Sequence, residues 1–501
     1  MLFIASRRLG HNVDEQGRLL LLERLQEKGL TPLIRSTRFG CYKQALSGLD
    51  NEGEMERTIA ALTEHEDKTS YIKGDVFFFD DHALYLIFEE TGYEPAGMRA
   101  GVVYESYTTE PLRKLDDFCR EVSDFLVDQG SAATGLSMTD GGRHLAPEWR
   151  DGRPQEQQGF TRFVAHQDID SLNTVIRRET AVERARAAAL LEDDAARLFL
   201  HRATEAYVEG CAAKLLANRT GETAGRVSIE KLMDAGLLRR EVLVSCRKMG
   251  HILFSLPSPD ALAVVTVSNA TCSGCGAAIA DEKVEEAVAP TPLASALLED
   301  GSWLVNRLYF TLRELGLPGS EVAIAPPSGN GEAHMMANVC GESFLLVLRD
   351  GDLSPAFARR ATDAAIKTEA THLMIVVTGK IYEEGQLWLR NYARRRARSG
   401  VEFELKIAEG VSAAESSLQE SFEQVSRRAL AEQLCELDTS LGLSLTRVIT
   451  TRFQLLQRSR GANGFARLAI AAPVSNLRPV EPANHFTRFA SDTQLTGSAS
   501  K

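Results

Sequence analysis

Apolar positions recur three and four apart over residues 302–315, where Leu304, Leu308, Leu312 and Leu315 share one face and Gly316 follows as a stop. That spacing predicts a helix. The period then changes. Residues 321–325, 333–340 and 344–348 are apolar runs of strand length, joined by loops that carry Pro326-Pro327 and Gly341. The third run, FLLVL, reads as a buried strand ending abruptly in Arg349-Asp350-Gly351. Ser354 as N-cap and Pro355 at the first helical position open a helix to about residue 370. HLMIVVT at 372–378 predicts one more strand, closed by Gly379, and VEFELKI at 401–407 returns as an edge strand.

The flanks carry their own patterns. Residues 1–6 predict a short strand and 14–28 a helix stopped by Gly29. VFFF and ALYLIFE within 75–89 flank Asp80-Asp81-His82 and predict a hairpin with a polar tip; 101–107 supplies a further strand. An amphipathic helix over 111–129 places Leu112, Leu115, Val122, Phe125 and Leu126 on one stripe. Residues 130–159 read as a long loop or linker. One or two helices over 170–218 carry the stripe Leu191, Ala195, Leu198, Phe199. A short helix at 228–235 precedes Gly236 and a strand at 241–245; residues 252–268 are hairpin-like and 282–289 a short acidic helix. Pro290-Thr291-Pro292 reads as a hinge. Residues 412–434 form an amphipathic helix with Leu418, Phe422, Val425 and Ala429 in register; 446–458 is another, and the polar tail from about 472 predicts disorder.

At 501 residues the chain exceeds one core. The expected fold class is α+β and α/β, multi-domain: an N-terminal α+β domain (1–165), a helical connector (166–220), a winged-helix-like and zinc-ribbon-like module (221–290), an αβββαβ domain (291–410) and a helical C-terminus (411–501). A formal net charge of −12 gives no overall attraction to nucleic acid, so any such contact needs a local patch. No apolar run has the length of a membrane span or of a secretory signal, and five of eight cysteines are scattered singly, so a reducing, cytoplasmic setting is expected.

The other three cysteines cluster. Cys246 opens CRKMGH, and Cys272-Ser273-Gly274-Cys275-Gly276 is a CxxCG turn. Two thiolates from one tight turn suit a tetrahedral ion. The region resembles zinc ribbons in spacing and β-rich filling, and it departs from them in lacking a second cysteine near Met249. With His251 standing in, the resemblance implies structural zinc on Cys246, His251, Cys272 and Cys275. A ribbon that has lost its metal and a set of unrelated thiols are the alternatives. Helix, Gly236 and strand just upstream resemble the end of a winged helix.

The order helix, strand, strand, strand, helix, strand over about 292–409 resembles the restriction-endonuclease-like, or PD-(D/E)xK, superfamily. There an Asp and a Glu-x-Lys hold Mg²⁺ for phosphodiester cleavage. Laid on this chain, His334 falls at the Asp position, Val347 at the Glu position and Arg349 at the Lys position. That implies a nuclease-like domain without nuclease chemistry. A displaced acidic site on Glu332, Asp350 or Asp352 is the competing expectation.

Arg390, Arg394, Arg395, Arg396 and Arg398 crowd the end of one helix, with Leu387, Leu389, Tyr392 and Ala393 expected inward. Five arginines in nine positions exceed what a helix C-terminus needs for its dipole, and guanidinium suits phosphate; an acidic protein partner and a plain solvated face are the alternatives. The chain carries no Walker, HExxH, GxSxG or convincing GxGxxG motif; Gly379-Lys380 is followed by Ile381, and PPSGNG at 326–331 lacks a following helix. These readings lead to a non-catalytic subunit that binds DNA or RNA through the basic helix or scaffolds a larger assembly, as in bacterial restriction and phage-defence systems. Alternatives are a metal-dependent nuclease and a pure interaction subunit, with a protein partner or homo-oligomer expected.

Overall fold

The computed structural model describes residues 1–43, 72–89, 97–133, 148–151, 178–208, 228–267, 270–325, 331–400, 402–441 and 444–470, with isolated positions 58, 160, 163 and 164. The tail, most of the 130–159 linker and residues 326–330 of the PPSGNG loop lie outside them. The chain divides into two compact units, Met1–Arg447 and Val448–Lys501. Within the first, the described residues build three sheets with helices on their faces, a mixed α+β architecture.

The first sheet contains β1 (Leu2–Leu9), β2 (Gly74–Phe78), β3 (His82–Glu89), β4 (Gly97–Glu105) and β5 (Arg150–Asp151), in the order β2-β3-β4-β1-β5 and antiparallel throughout. The predicted hairpin is β2–β3. Its tip is a polar staple: His82 Nδ1 lies 2.6 Å from Asp81, its ring stacks on Phe79, and Lys114 holds the other Asp81 oxygen. Helices α1 (Glu15–Glu27) and α3 (Pro111–Ala133) bury Leu21, Leu22, Leu25, Leu115 and Val122 against this sheet. Helix α2 (Leu33–Lys43), which the periodicity did not suggest, starts where buried Asp75 accepts hydrogen bonds from the Ile34 and Arg35 N–H groups.

The connector region supplies α4 (Arg178–Leu190) and α5 (Asp194–Val208). Leu191, Ala196, Leu200 and Ala203 are the buried stripe, while Leu198 is 57% exposed; the face is rotated from the predicted one. Then come α6 (Ile229–Asp234), capped by Ser228, and the second sheet, ordered β7-β6-β8 from β6 (Leu238–Ser245), β7 (Ile252–Leu256) and β8 (Lys283–Pro290). Two expectations are corrected here. The hairpin-like stretch is β7 followed by helix α7 (Pro259–Val267), because Pro259 and Asp260 are first-turn helix residues. The acidic helix is strand β8: Ala287 and Ala289 turn inward, and the whole segment pairs with β6. The hinge is fixed, since Thr291 caps α8 (Pro292–Leu298) and its hydroxyl also donates to the Gly236 carbonyl.

Helix α9 (Ser302–Glu314) leads into the third sheet, built from β9 (Val322–Ile324), β10 (Glu332–Val339), β11 (Glu342–Arg349), β12 (His372–Val377) and β13 (Glu404–Glu409). The strands lie in sequence order: β9, β10 and β11 form an antiparallel meander, and β12 and β13 continue parallel to β11. Parallel pairing needs crossovers, which α10 (Pro355–Thr368) and α11 (Glu383–Arg398) provide. Leu345, Val347, Leu373 and Ile375 pack with Phe357, Ala361 and Leu389 from these two helices on one face. Phe344, Leu346, Leu348, Met374 and Val376 pack on the other with α9 and with α12 (Gly410–Leu441) through Leu308, Leu418 and Phe422. FLLVL is therefore apolar throughout because both sides of β11 are covered.

Helix α12 also reaches the first sheet. Gln433 Oε1 accepts from Tyr85 Oη at 3.1 Å and from Arg99 Nη1 at 3.2 Å. One apolar cluster accordingly runs from Phe3 through Leu191, Leu232 and Leu304 to Phe422, across the boundaries the sequence suggested between modules. The second unit carries most of α13 (Leu445–Ile470). Among the described residues, no helix is long and apolar enough to cross a membrane.

Candidate metal centre

Pairing of β6 with β8 sets Ser245 opposite Lys283, so the next residues along, Cys246 and Glu282, meet at the end of the sheet. The CxxCG turn folds over the same end. The Cys246, Cys272 and Cys275 sulfurs and a Glu282 oxygen lie within 4.8 Å of one another, the arrangement of a site that could hold a metal ion. Cys246 and Cys272 are buried at 1% and 2% exposure and Glu282 is buried with them, while Cys275 is half-buried.

The spacing fits a tetrahedral ion. Metal–sulfur bonds near 2.3 Å imply sulfurs about 3.8 Å apart, and a metal–oxygen bond near 2.0 Å implies about 3.5 Å from oxygen to sulfur. Cys246 Sγ is 3.5 Å from Cys275 Sγ, and Glu282 Oε1 is 3.7 Å from Cys275 Sγ. The other Glu282 oxygen accepts the Arg247 N–H at 2.6 Å, which orients the carboxylate as a supporting hydrogen bond does around metal ligands. That hydrogen bond also holds the Glu282 carboxyl below its ordinary range. Backbone N–H groups of Cys275 and Gly274 likewise hold the Cys272 thiol down. The Ala277 N–H draws Cys275 down as well, but the Cys246 sulfur, burial and the Cys272 sulfur outweigh it and leave that thiol at about 11. Three crowded sulfurs resist sharing negative charge until a cation joins them, and a coordinating cation deprotonates its thiols outright.

The sequence named Cys246, Cys272 and Cys275, and the structure brings them together. It gathers Glu282 with them, and His251 stands outside that group: its Cε1 packs 3.4 Å from where a Cβ on Gly274 would sit. Glu282 is not legible as a ligand because its acidic segment predicts a helix, where the structure has a strand. The usable signal was an oxygen donor soon after a CxxCG turn in a set one thiol short. No family model, curated protein or solved structure matches this chain. The chemistry of these residues must be read from their own geometry.

The third sheet sets His334 opposite Val347 and Glu332 opposite Arg349. Val347 is fully buried, and burial pushes the His334 imidazole below its ordinary value. Glu332 is bound by Arg349 Nη1 at 2.8 Å and by Arg360 of α10. Asp350 accepts from Trp303 Nε1 and Thr378 Oγ1; Asp352 accepts from the Lys380 N–H and Tyr382 Oη. The three acids thus have separate partners, and among the described residues they form no metal-holding group.

On α11, Arg390, Arg394, Arg395 and Arg398 are exposed, and no ion pair among the described residues engages them. Arg390, Arg394 and Arg398 are four apart and form one stripe. Arg396 is different: it lies half-buried with its guanidinium 5.6 Å from the Phe403 ring centroid. Leu389 and Tyr392 pack inward as expected, while Leu387 is 49% exposed.

Proposed function

We propose that this chain is a non-catalytic nucleic-acid-binding protein. It engages the phosphate backbone of DNA or RNA through α11, and zinc on Cys246, Cys272, Cys275 and Glu282 holds the β6–β8 module together. The observation that carries this reading is the Arg390–Arg394–Arg398 stripe: three guanidiniums on one helix face, exposed and without carboxylate partners among the described residues, in a chain of net charge −12. Other arginines of the chain are paired with carboxylates, such as Arg307, Arg349 and Arg428, and the stripe differs from them in that respect. Unpaired guanidinium is the group that exchanges counterions for phosphate.

The sheet order β9 to β13 is compatible with a restriction-endonuclease-like domain whose metal carboxylates are replaced, and such domains occur in bacterial restriction and phage-defence assemblies. Cleavage draws no support from Glu332, Asp350 and Asp352, each of which is hydrogen-bonded elsewhere. The test is binding of labelled duplex and single-stranded oligonucleotides across a salt series, with the Arg390, Arg394 and Arg398 residues changed together to Glu. Affinity that falls steeply with salt and is lost in the variant supports the reading. Wild-type protein with no affinity at low salt, or a variant that binds as before, ends it. Metal content of the purified protein, measured by elemental analysis, tests the zinc separately.

A further inference from the structure

Two loops bring their residues to the metal centre, and they are the same loop built twice. In the first, the Cys246 N–H donates to the His251 carbonyl at 2.9 Å and the Gly250 N–H donates to the Cys246 carbonyl at 2.8 Å. In the second, the Cys272 N–H donates to the Ala277 carbonyl and the Gly276 N–H to the Cys272 carbonyl, both at 2.8 Å. The glycine in each has the same left-handed backbone, with φ of 71° at Gly250 and 72° at Gly276. The flanking residues pair across the base of each loop, Ser245 with Ile252 and Thr271 with Ala278. CRKMGH therefore superposes position for position on CSGCGA. Cys246 matches Cys272, Gly250 matches Gly276, and Met249 matches Cys275.

Met249 keeps the backbone role of that position. Its N–H points at the Cys246 sulfur, 3.4 Å away, as loop N–H groups do around thiolate ligands. Its side chain supplies a thioether, which carries no charge, and is 61% exposed. The sulfur lies 3.0 Å from where a Cβ on Gly274 would sit, so the first loop leans on the second at a residue with no side chain. Glu282 meanwhile comes from neither loop. It enters from the residue just before β8 and is aimed by the Arg247 N–H, which belongs to the loop that lacks its second thiol.

We infer that the centre is a four-cysteine frame in which Met249 occupies one ligand position without binding, and in which Glu282 supplies the fourth bond from outside the frame. Resting on the reading of this cluster as a metal site, the inference sets its character: three thiolates and one carboxylate oxygen around a zinc-like dication. The oxygen is the hard donor in a soft set and its bond is the one an incoming ligand displaces. The same bond ties β8 to the first loop through the metal.

The experiment uses the full chain loaded with Co²⁺, whose thiolate-to-metal charge-transfer absorption scales with the number of bound thiolates, together with zinc competition against a chromophoric chelator. Wild type is expected to show the intensity of three thiolates. Met249→Cys is expected to raise it by a third, to four, and to tighten zinc about 10-fold or more, the scale on which changes around a metal act. Glu282→Gln is expected to weaken zinc about 10- to 100-fold, and adding Met249→Cys to it is expected to restore binding. His251→Ala is expected to change neither readout. Unchanged intensity in Met249→Cys, or loss of binding in His251→Ala with none in Glu282→Gln, overturns the inference. Met249→Cys carries the test even if Glu282→Gln fails to fold. Wild type that takes up neither Co²⁺ nor Zn²⁺ refutes the metal site itself, an outcome separate from a loaded site with a different fourth ligand.

Discussion

Glu332 and Arg349 face each other across the β10–β11 pair, with Arg349 Nη1 2.8 Å from Glu332 Oε1. A metal-dependent nuclease built on this sheet would need a free carboxylate here, and this one is 4% exposed and also held by Arg360. Glu332→Gln is expected to destabilise the protein by about 2–3 kcal/mol. It leaves guanidiniums short of their counter-charge, at less than the cost of breaking a fully buried pair because Arg360 reaches solvent. Arg360→Ala, at an exposed partner, is expected to cost about 1 kcal/mol or less. Urea denaturation measures both. Millimolar Mg²⁺ is expected to leave the wild-type midpoint unchanged, and a rise that depends on Glu332 would show the carboxylate binding metal after all.

His372 sits at the start of β12 between Glu342 on β11 and Glu404 on β13, 2.6 and 3.0 Å away, and its ring stacks on Phe344. Arg428 of α12 grips Glu342 from the other side. Burial alone would lower the imidazole pKa, but the two carboxylates outweigh it and raise it above 6.5. Burial alone would raise Glu342, but His372 and Arg428 hold it below 4.5; the His372 hydrogen bond holds Glu404 there too. A raised imidazole stabilises the fold fully below its unfolded value and loses that contribution as pH rises through the folded value. The depressed carboxylates stabilise above 4.5 and lose that contribution as pH falls. This cluster therefore contributes most between 4.5 and 6.5. His372→Asn is expected to flatten the alkaline decline of a stability–pH profile; a decline of unchanged size would assign it to other groups.

Gly101 on β4 is glycine because the Tyr85 ring lies across it: a Cβ there would fall 2.1 Å from Tyr85 Cζ. That ring carries the hydroxyl that binds Gln433 and so couples the first sheet to α12. Gly101→Ala is expected to cost about 2–3 kcal/mol as overpacking. Tyr85→Phe is expected to cost about 1 kcal/mol, the lost hydrogen bond. Combining Gly101→Ala with Tyr85→Ala is expected to cost less than the sum of the single changes, since removing the ring removes the clash. Additive losses in thermal or urea melts would separate the two residues.

Legibility in the sequence followed the strength of the local pattern. The third sheet and its helices were readable from 302 to 378 because both faces of β11 are buried and Ser354-Pro355 marks a helix start. β8 was not, because KVEEAVAP carries only small inward residues and its strand character comes from pairing with β6. That single misassignment hid Glu282, whose role depends on the register of two strands far apart in sequence. The rotated stripe of α5 has a similar cause: Ala196 and Ala203 are buried by neighbouring elements, while larger Leu198 remains outside. Cys272 and Cys275 of the candidate metal centre are legible because thiols in a CxxCG turn have few other uses, and Cys246 because it precedes them across a β-rich stretch; Glu282 needs tertiary structure.

The arginines of α11 divide into two physical classes, and that division makes the nucleic-acid reading specific. Arg390, Arg394 and Arg398 share the outward stripe, about 6 Å apart along the axis. Arg396 points back over Phe403, and its Nε is buried without a hydrogen-bond partner. If phosphate is the ligand, each stripe residue releases about one counterion on binding. Arg390→Ala, Arg394→Ala and Arg398→Ala are then each expected to reduce the slope of log affinity against log salt by about 1, with little effect on stability. Arg396→Ala is expected to do the reverse: a stability loss of about 0.5–1 kcal/mol from the cation–π contact, with an unchanged salt slope. Fluorescence anisotropy over a salt series and a urea melt on the same four proteins read both quantities. Equal slopes for all four variants and wild type would remove phosphate from the account of this helix. A slope change in Arg396→Ala alone would move the contact to the opposite face.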